Sequence, residues 1–268
     1  MYIELENGID PIIDNKKFYD GDTSVIYKDN DLLYKIYLKN EPHKQDVIDY
    51  LIKIRNNISD VASMPIDKVK LGNYYGLTMK YIDSYGFYKY FLHDNDSDEY
   101  LRKMKILSDN LKLINKNNIY FTDLHHNNIV IDKKTNNPIY IDLDDARVNG
   151  YEAHHICYLV WNLHNIKERG KSYEKELLEK SYLDRESLVL LTLNYLIKGE
   201  IEKLSYDDYQ RKISEFENYF NKDTIDVFRE LKQPLSDSTI PLYTHYIGDY
   251  IDEEFKDGYS KVRKKVLK

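Results

Sequence analysis

The apolar residues of this 268-residue chain change period near residue 82, and that change limits the fold more than any other feature. Before it, short runs rich in Val, Ile, Leu and Tyr read as strands over 25–28, 32–38 and 76–82. Asp29, Asn30 and Asp31 supply turn chemistry between the first two. A single helix interrupts them. It opens at Glu41-Pro42, where proline suits the first helical position, and Val47, Leu51, Ile54 and Ile58 line one face. Beyond residue 82 the period is helical. Leu101, Met104, Leu107, Leu111 and Ile114 form a stripe over 101–115, and further runs follow at 153–165, 187–197, 206–220 and 242–255. The pattern predicts an α+β chain with two lobes: a small β-rich lobe over 1–82 and a larger, mainly α-helical lobe over 83–268. There is no internal repeat and no long Gly/Ser/Pro linker.

Composition narrows the classes. Hydrophobic residues at 42% are enough for a buried core. One cysteine excludes an intramolecular disulfide and suits a reducing compartment. The first residues lack the basic and apolar regions of a signal peptide, and no run approaches a membrane span, so a cytoplasmic location is expected. A net charge of −7 argues against nucleic acid as a partner. The basic end, with Lys261, Arg263, Lys264, Lys265 and Lys268, reads as a solvated terminus. Tyrosine is in excess, 27 against 8 Phe and 1 Trp, with no role evident from the pattern.

One piece breaks the helical period. Residues 129–131 and 139–141 are short β-type runs with turn material between them. In the simplest antiparallel register Val130 faces Tyr140, Ile129 faces Ile141 and Asn128 faces Asp142. Asn128 and Asp142 then share one open end, and the loop carrying Asp123 enters there. A carboxylate with an amide oxygen suits Mg²⁺, which takes few protein ligands and fills its shell with water and phosphate oxygens. A carboxylate close by can orient a hydroxyl or accept its proton.

Asp123-Leu124-His125-His126-Asn127-Asn128 resembles the catalytic loop of the protein-kinase-like superfamily. Asp142-Leu143-Asp144 follows Asp123 by 19 positions, similar to that family's metal motif. Leu33-Tyr34-Lys35-Ile36 resembles its phosphate-binding strand, and the stretch from Asp20 through Lys28 resembles a reduced nucleotide-covering hairpin that keeps only Gly21. Thr78-Met79-Lys80-Tyr81-Ile82 resembles its gatekeeper and hinge. The likeness runs from about residue 20 to 145, roughly half the chain. It implies a two-lobed protein-kinase-like fold that uses ATP and Mg²⁺ to phosphorylate a hydroxyl. Asp123 is then the catalytic residue, and Asn128 and Asp142 hold metal. Lys35, Gly21, Met79, Tyr81 and Ile82 meet the nucleotide.

The departures are specific. Phe121-Thr122 replaces the family's His-Arg, so docking of an activation-loop phosphate is not expected. Asp144 stands where the metal motif has Gly. Glu41, Asp46 and Asp49 are candidates for the helix acid that should pair with Lys35, and none fits the register cleanly. The segment after Asp142 is short, His125 stands where Ser/Thr kinases usually have Lys, and Asp-Leu-His-x-x-Asn is similar to the loops of aminoglycoside- and choline-type kinases and of some atypical bacterial protein kinases. The acceptor is therefore a protein Ser/Thr, slightly favoured, or a small molecule. Two other readings remain open: a degenerate kinase fold that binds without catalysis, and a haloacid-dehalogenase-type phosphatase with Asp142 as nucleophile. Lys35 alone also reads as an outward-facing strand lysine. His154, His155, Cys157 and His164 form a zinc-like set on one presumed helix, better read as helix residues than as converging ligands.

Overall fold

The structure is a computed structural model that describes residues 2–4, 17–20, 23–39, 42–92, 97–153, 155–197, 201–217, 220–232 and 246–249. Its first layer is a mixed sheet of six strands: β1 (Tyr2–Glu4), β2 (Lys17–Asp20), β3 (Ser24–Asp29), β4 (Leu32–Tyr37), β5 (Pro65–Leu71) and β6 (Tyr74–Lys80). Their order is β1-β5-β6-β4-β3-β2. β1 runs parallel to β5, and the other neighbours are antiparallel. Asn30, at φ 50°, turns β3 into β4, a backbone region that asparagine tolerates better than most residues.

Helix α1 (Pro42–Ile58) belongs to both lobes. Ile48 packs with Tyr37, Tyr75 and Leu77 of the sheet. Val47, Leu51, Ile54 and Ile58 instead join the main core of the larger lobe. The stripe seen in the sequence is thus the inter-lobe face, and a second apolar position docks the helix on the sheet.

The larger lobe follows the short strand β7 (Ser84–Gly86) and helix α2 (Phe87–Leu92). Helix α3 (Ser97–Lys116) leads to β8 (Ile119–Tyr120) and the hairpin of β9 (Ile129–Asp132) and β10 (Pro138–Tyr140). β11 (Arg147–Val148) pairs with β8. The rest is helical: α4 (Tyr158–Leu163), α5 (Ile166–Arg169), α6 (Lys171–Leu178), α7 (Leu183–Ile197), α8 (Tyr206–Ser214) and α9 (Lys222–Glu230). Helix α7 is buried on nearly every side, as expected of an all-round apolar helix at a core's centre. Among the described residues no helix is long and apolar enough to cross a membrane.

Three expectations change. The helix expected over 153–165 begins only at Tyr158, because the Cys157 N–H is tied to the Thr122 carbonyl at 2.8 Å and holds the preceding segment extended. The helix expected over 206–220 stops near Ser214. Of 242–255 the described part is 246–249, where Ile247–Asp249 is a 3₁₀ turn held to α3 by Gly248 N–H donating to Ser108 Oγ at 2.8 Å. The basic stretch at 260–268 lies outside the described residues.

Several of the excess tyrosines are core aromatics with a satisfied hydroxyl. Tyr140 donates to the Leu107 carbonyl and Tyr100 to that of Leu191, each at 2.9 Å, and Tyr209 donates to that of Phe228. A phenol can fill a core only when its O–H finds such an acceptor.

Candidate active site

Lys35 sits on β4, with β3 and β6 on either side. Gly76 of β6 lies opposite Ile36, and a Cβ there would come within 2.0 Å of the Lys35 carbonyl oxygen. Only glycine lets the two strands approach this closely. A strand glycine can mark such a close backbone approach, but the local pattern does not say which strand it meets. Lys35 is 3% exposed, so it is not the outward-facing lysine that strand alternation allowed.

Its ammonium ends among three carboxylates. It pairs with Asp142, with both oxygens of Asp144 at 2.9 and 3.0 Å, and with Asp145 at 3.7 Å. Lys44 reaches in from α1 and pairs with Asp145 and, at 3.4 Å, with Asp144. Tyr37 donates to Asp144 at 2.6 Å. Burial opposes charge on Lys35, but Asp144, Asp142 and Asp145 outweigh it and hold the ammonium charged well above the usual lysine range. Burial also opposes charge on Asp144, and here Lys35 and Lys44 win and push its pKa down. Asp142 goes the other way, up to about 6, because burial and two acidic neighbours exceed the pull of Lys35.

Among the described residues, Asp142, Asp144 and Asp145 are the group of potential ligands that converges within 4.8 Å. Among the described residues the zinc-like set does not gather. His154 lies outside the described residues and His155 is exposed. Cys157 is buried, with its thiol pushed up to about 12 by burial, and His164 is engaged with Glu186 and Tyr173. Asp46 and Asp49, proposed as partners of Lys35, are both exposed, and Asp49 instead pairs with Lys68. Glu41 lies outside the described residues, as does Gly21.

The β9–β10 hairpin is shifted by one residue from the simplest register. Ile139 faces Val130, Tyr140 faces Ile129, and the Ile141 N–H donates to the Asn128 carbonyl at 3.0 Å. The turn causes the shift. Asp132 N–H donates to the Asn137 carbonyl, and the Asp132 carboxylate accepts from Lys134 N–H and Thr135 Oγ, which closes the loop earlier than expected. Asn128 therefore faces Ile141 rather than Asp142. Asp142 then takes a left-handed conformation, φ 67° and ψ 39°, at the point where its carboxylate meets Lys35. A non-glycine residue in that region is held there by its surroundings, here the ion pairs.

The loop before the hairpin is locally bonded. Asn128 Nδ2 donates to the Asp123 carbonyl at 2.8 Å, and Asn128 N–H to that of His125 at 2.9 Å. His125 Nδ1 accepts from Asn127 N–H, which assigns the ring proton to Nε2. That nitrogen lies 3.7 Å from Asp123 Oδ1. Burial lowers the pKa of both His125 and His126, so both rings favour the neutral form. Phe121 is buried against Tyr140 at 5.1 Å between ring centres, and Thr122 is buried beside it.

At the joint between lobes, Met79 is half-buried at the end of β6, where its sulfur accepts from Ser63 Oγ at 3.6 Å. The Tyr81 N–H donates to the Asp31 carbonyl at 2.8 Å, with Lys28 Nζ 3.2 Å from the Tyr81 ring centre. The Ile82 carbonyl accepts from Ser84 Oγ at 3.2 Å. β7 then pairs with β9, so the joint leads directly to the hairpin that follows Asn128.

Sequence reasoning missed Asp184, at the start of α7. It is fully buried and accepts from Asn115 Nδ2, from Arg185 N–H and from the Phe121 backbone N–H, two residues before Asp123. A lone aspartate at a helix start reads as a cap, so nothing marked it. Burial pushes its pKa up to about 6. A raised folded-state pKa means that the folded chain holds a proton the unfolded chain releases between about pH 4 and 6, so stability falls as pH rises through that window. At about 1.4 kcal/mol per unit, the pH-dependent part is about 3 kcal/mol. Relative to wild type, Asp184→Asn should gain by that order between pH 4 and pH 7, on top of a fixed loss from misplaced donors. Urea denaturation of both proteins at each pH checks this, and parallel profiles would refute it.

A cleft of about 570 Å³ lined by residues including Tyr120, Arg147, Lys175 and Glu179 contains none of these site residues.

Solved structures give the comparison for this arrangement. The chain superposes on the Cydia pomonella granulovirus kinase PK-1 with a TM-score of 0.53 and 17% identity, over 81% of this chain and 85% of that one. It superposes on the twitchin kinase region of C. elegans with a TM-score of 0.58 and 14% identity, over 94% of this chain and 49% of that one. The architecture is protein-kinase-like. A small mixed-sheet lobe and a larger helical lobe match those structures. No protein-family model and no curated protein sequence matches the chain.

Proposed function

We propose that this chain is an ATP- and Mg²⁺-dependent phosphotransferase that moves the γ-phosphate to a hydroxyl, a protein Ser/Thr before a small molecule. The observation that carries the reading is the meeting of Lys35 of the sheet with Asp142 beyond the hairpin. The donor set fits the metal. Asp142 keeps 38% of its side chain exposed, against 4% for Asp144, so a cation can reach it. Asn128 uses Nδ2 on the Asp123 carbonyl, which leaves its amide oxygen for the metal. Both are the hard oxygen ligands that Mg²⁺ prefers.

Bound Mg-ATP would supply the transferable phosphoryl group and the cationic charge that steadies it. Lys35, kept charged by its neighbours, would hold phosphate oxygens. Met79, Tyr81 and Ile82 would border the base, with Tyr81 contributing position rather than its N–H, which is spent on Asp31. Gly21 belongs to the same proposal as the glycine of the covering hairpin. Asp123 would orient the acceptor hydroxyl and take its proton, while the Nε2–H of His125 limits where that carboxylate turns. One observation favours a second reading, a nucleotide-binding module without turnover: three carboxylates already engage Lys35.

The test is nucleotide binding with and without Mg²⁺, followed by transfer of labelled γ-phosphate, in wild type and Asp142→Asn. Mg²⁺-dependent binding and transfer are expected in wild type, with both lost in the variant. Binding without transfer to any acceptor, the chain itself included, would favour the second reading. Equal activity in both proteins would overturn the assignment.

A further inference from the structure

The ion-pair cluster has a polarity that the site residues named so far do not explain. Helix α1 brings a cation, Lys44, to the place where the resemblance called for an acid. The acids lie instead on the loop after Asp142. Asp144 takes the Lys35 ammonium on both oxygens while also accepting from Tyr37. Asp145 and Asp144 take Lys44. Lys35, Lys44 and Asp144 are all at least nine-tenths buried. Buried charges this close demand partners, so each cation needs its own acid.

We propose that Lys44 and Asp145 form a positioning pair that docks helix α1 onto the metal loop, with Asp144 acting as the acid that orients Lys35. This deepens the phosphotransferase reading and rests on it for its effect on rate. With Asp142 given to the metal, Asp144 alone would be shared between two ammonium groups. Asp145 supplies the second negative charge and leaves Asp144 free to face Lys35. Because α1 also carries Val47, Leu51, Ile54 and Ile58 into the larger lobe's core, the pair joins that helix to Asp142 at the lobe boundary. An inward position of α1 and a correctly placed Lys35 then become one event.

Lys44→Met keeps the length and apolar stem but removes the charge, whereas Lys44→Arg keeps the charge. Lys44→Met and Asp145→Asn should each lower kcat about 10- to 100-fold with a smaller change in KM for ATP. Their double variant should be no worse than the poorer single. Lys44→Arg should recover most of the rate, which a role in filling space would not require. Amide exchange across α1 should quicken roughly tenfold in Lys44→Met and in Asp145→Asn, with no further gain in the double variant. That second readout separates the two ideas. If wild type transfers no phosphate yet exchange shows the non-additive pattern, the phosphotransferase reading fails and the pairing stands. If effects on exchange are additive, or if Met and Arg behave alike at residue 44, the pairing is wrong. Asp144→Asn should also abolish transfer, while Glu41→Gln and Asp49→Asn should leave it unchanged. The reverse pattern would return the orienting role to the helix.

Discussion

Asp123→Asn should reduce phosphate transfer by about 10²- to 10⁴-fold, the usual size of a lost general base, while ATP binding stays within a factor of two or so. The separation follows from the geometry. The contact that ties Asp123 to Asn128 uses the Asp123 backbone carbonyl, which the substitution leaves intact. Its side chain faces His125 and does not enter the Lys35 cluster. The near-isosteric amide therefore removes proton acceptance without moving the loop. Steady-state kinetics with ATP varied at fixed acceptor reads the effect: a fall in kcat with an unchanged KM for ATP is expected. A raised KM with full kcat would place Asp123 in nucleotide binding instead.

Lys35→Met should destabilise the fold by about 3–5 kcal/mol, the cost of leaving buried charge uncompensated. Asp144 is 4% exposed and would keep only Lys44 and the Tyr37 hydroxyl as partners, with Asp142 and Asp145 beside it. The loss is large against a typical total of about 5–15 kcal/mol. Nucleotide binding should fall with it. The companion variant Lys35→Met/Asp144→Asn distinguishes the cause. Removing the stranded carboxylate should recover much of the stability and none of the nucleotide affinity. Chemical denaturation measures the first, and calorimetric titration with ATP and Mg²⁺ measures the second. A single variant as stable as wild type would show that the cluster carries no net electrostatic load.

Much of this architecture was legible because local patterns and tertiary demands agree. The stripe from Val47 to Ile58 is helical in sequence and sits between the lobes in the fold. Leu101 through Ile114 behave the same way in α3. The resemblance gave Lys35 to the nucleotide and Asp142 to the metal, whereas their ion pair, 107 positions apart, appears only in the fold. What stayed hidden was set by single contacts at a distance. The hairpin register turned on two bonds that the Asp132 carboxylate accepts. The start of α4 turned on one bond to Thr122. The resemblance asks for the acid beside Lys35 on a helix, and by itself Asp144 reads as a solvated residue or a helix cap. Gly76 and Asp184 carry only generic local signatures, a strand glycine and a helix-start aspartate, because their meaning lies in a neighbouring strand and in the backbone of Phe121.

The tyrosine excess is partly accounted for by the same physics. Tyr100, Tyr140 and Tyr209 are buried where an acceptor carbonyl waits, and Tyr37 serves Asp144. Beside buried phenylalanines such as Phe87, Phe91, Phe121 and Phe216, these tyrosines extend the aromatic core with residues that need a hydrogen-bond partner, and the fold provides one at each of these places.

The most direct measurement is a time course of labelled γ-phosphate from ATP with Mg²⁺, using wild type and Asp123→Asn side by side on a panel of protein and small-hydroxyl acceptors. Label should accumulate on at least one acceptor, or on the chain itself, in wild type and fall at least a hundredfold in the variant. Equal labelling by the two proteins, or none in wild type despite Mg²⁺-dependent ATP binding, would contradict catalysis by this site.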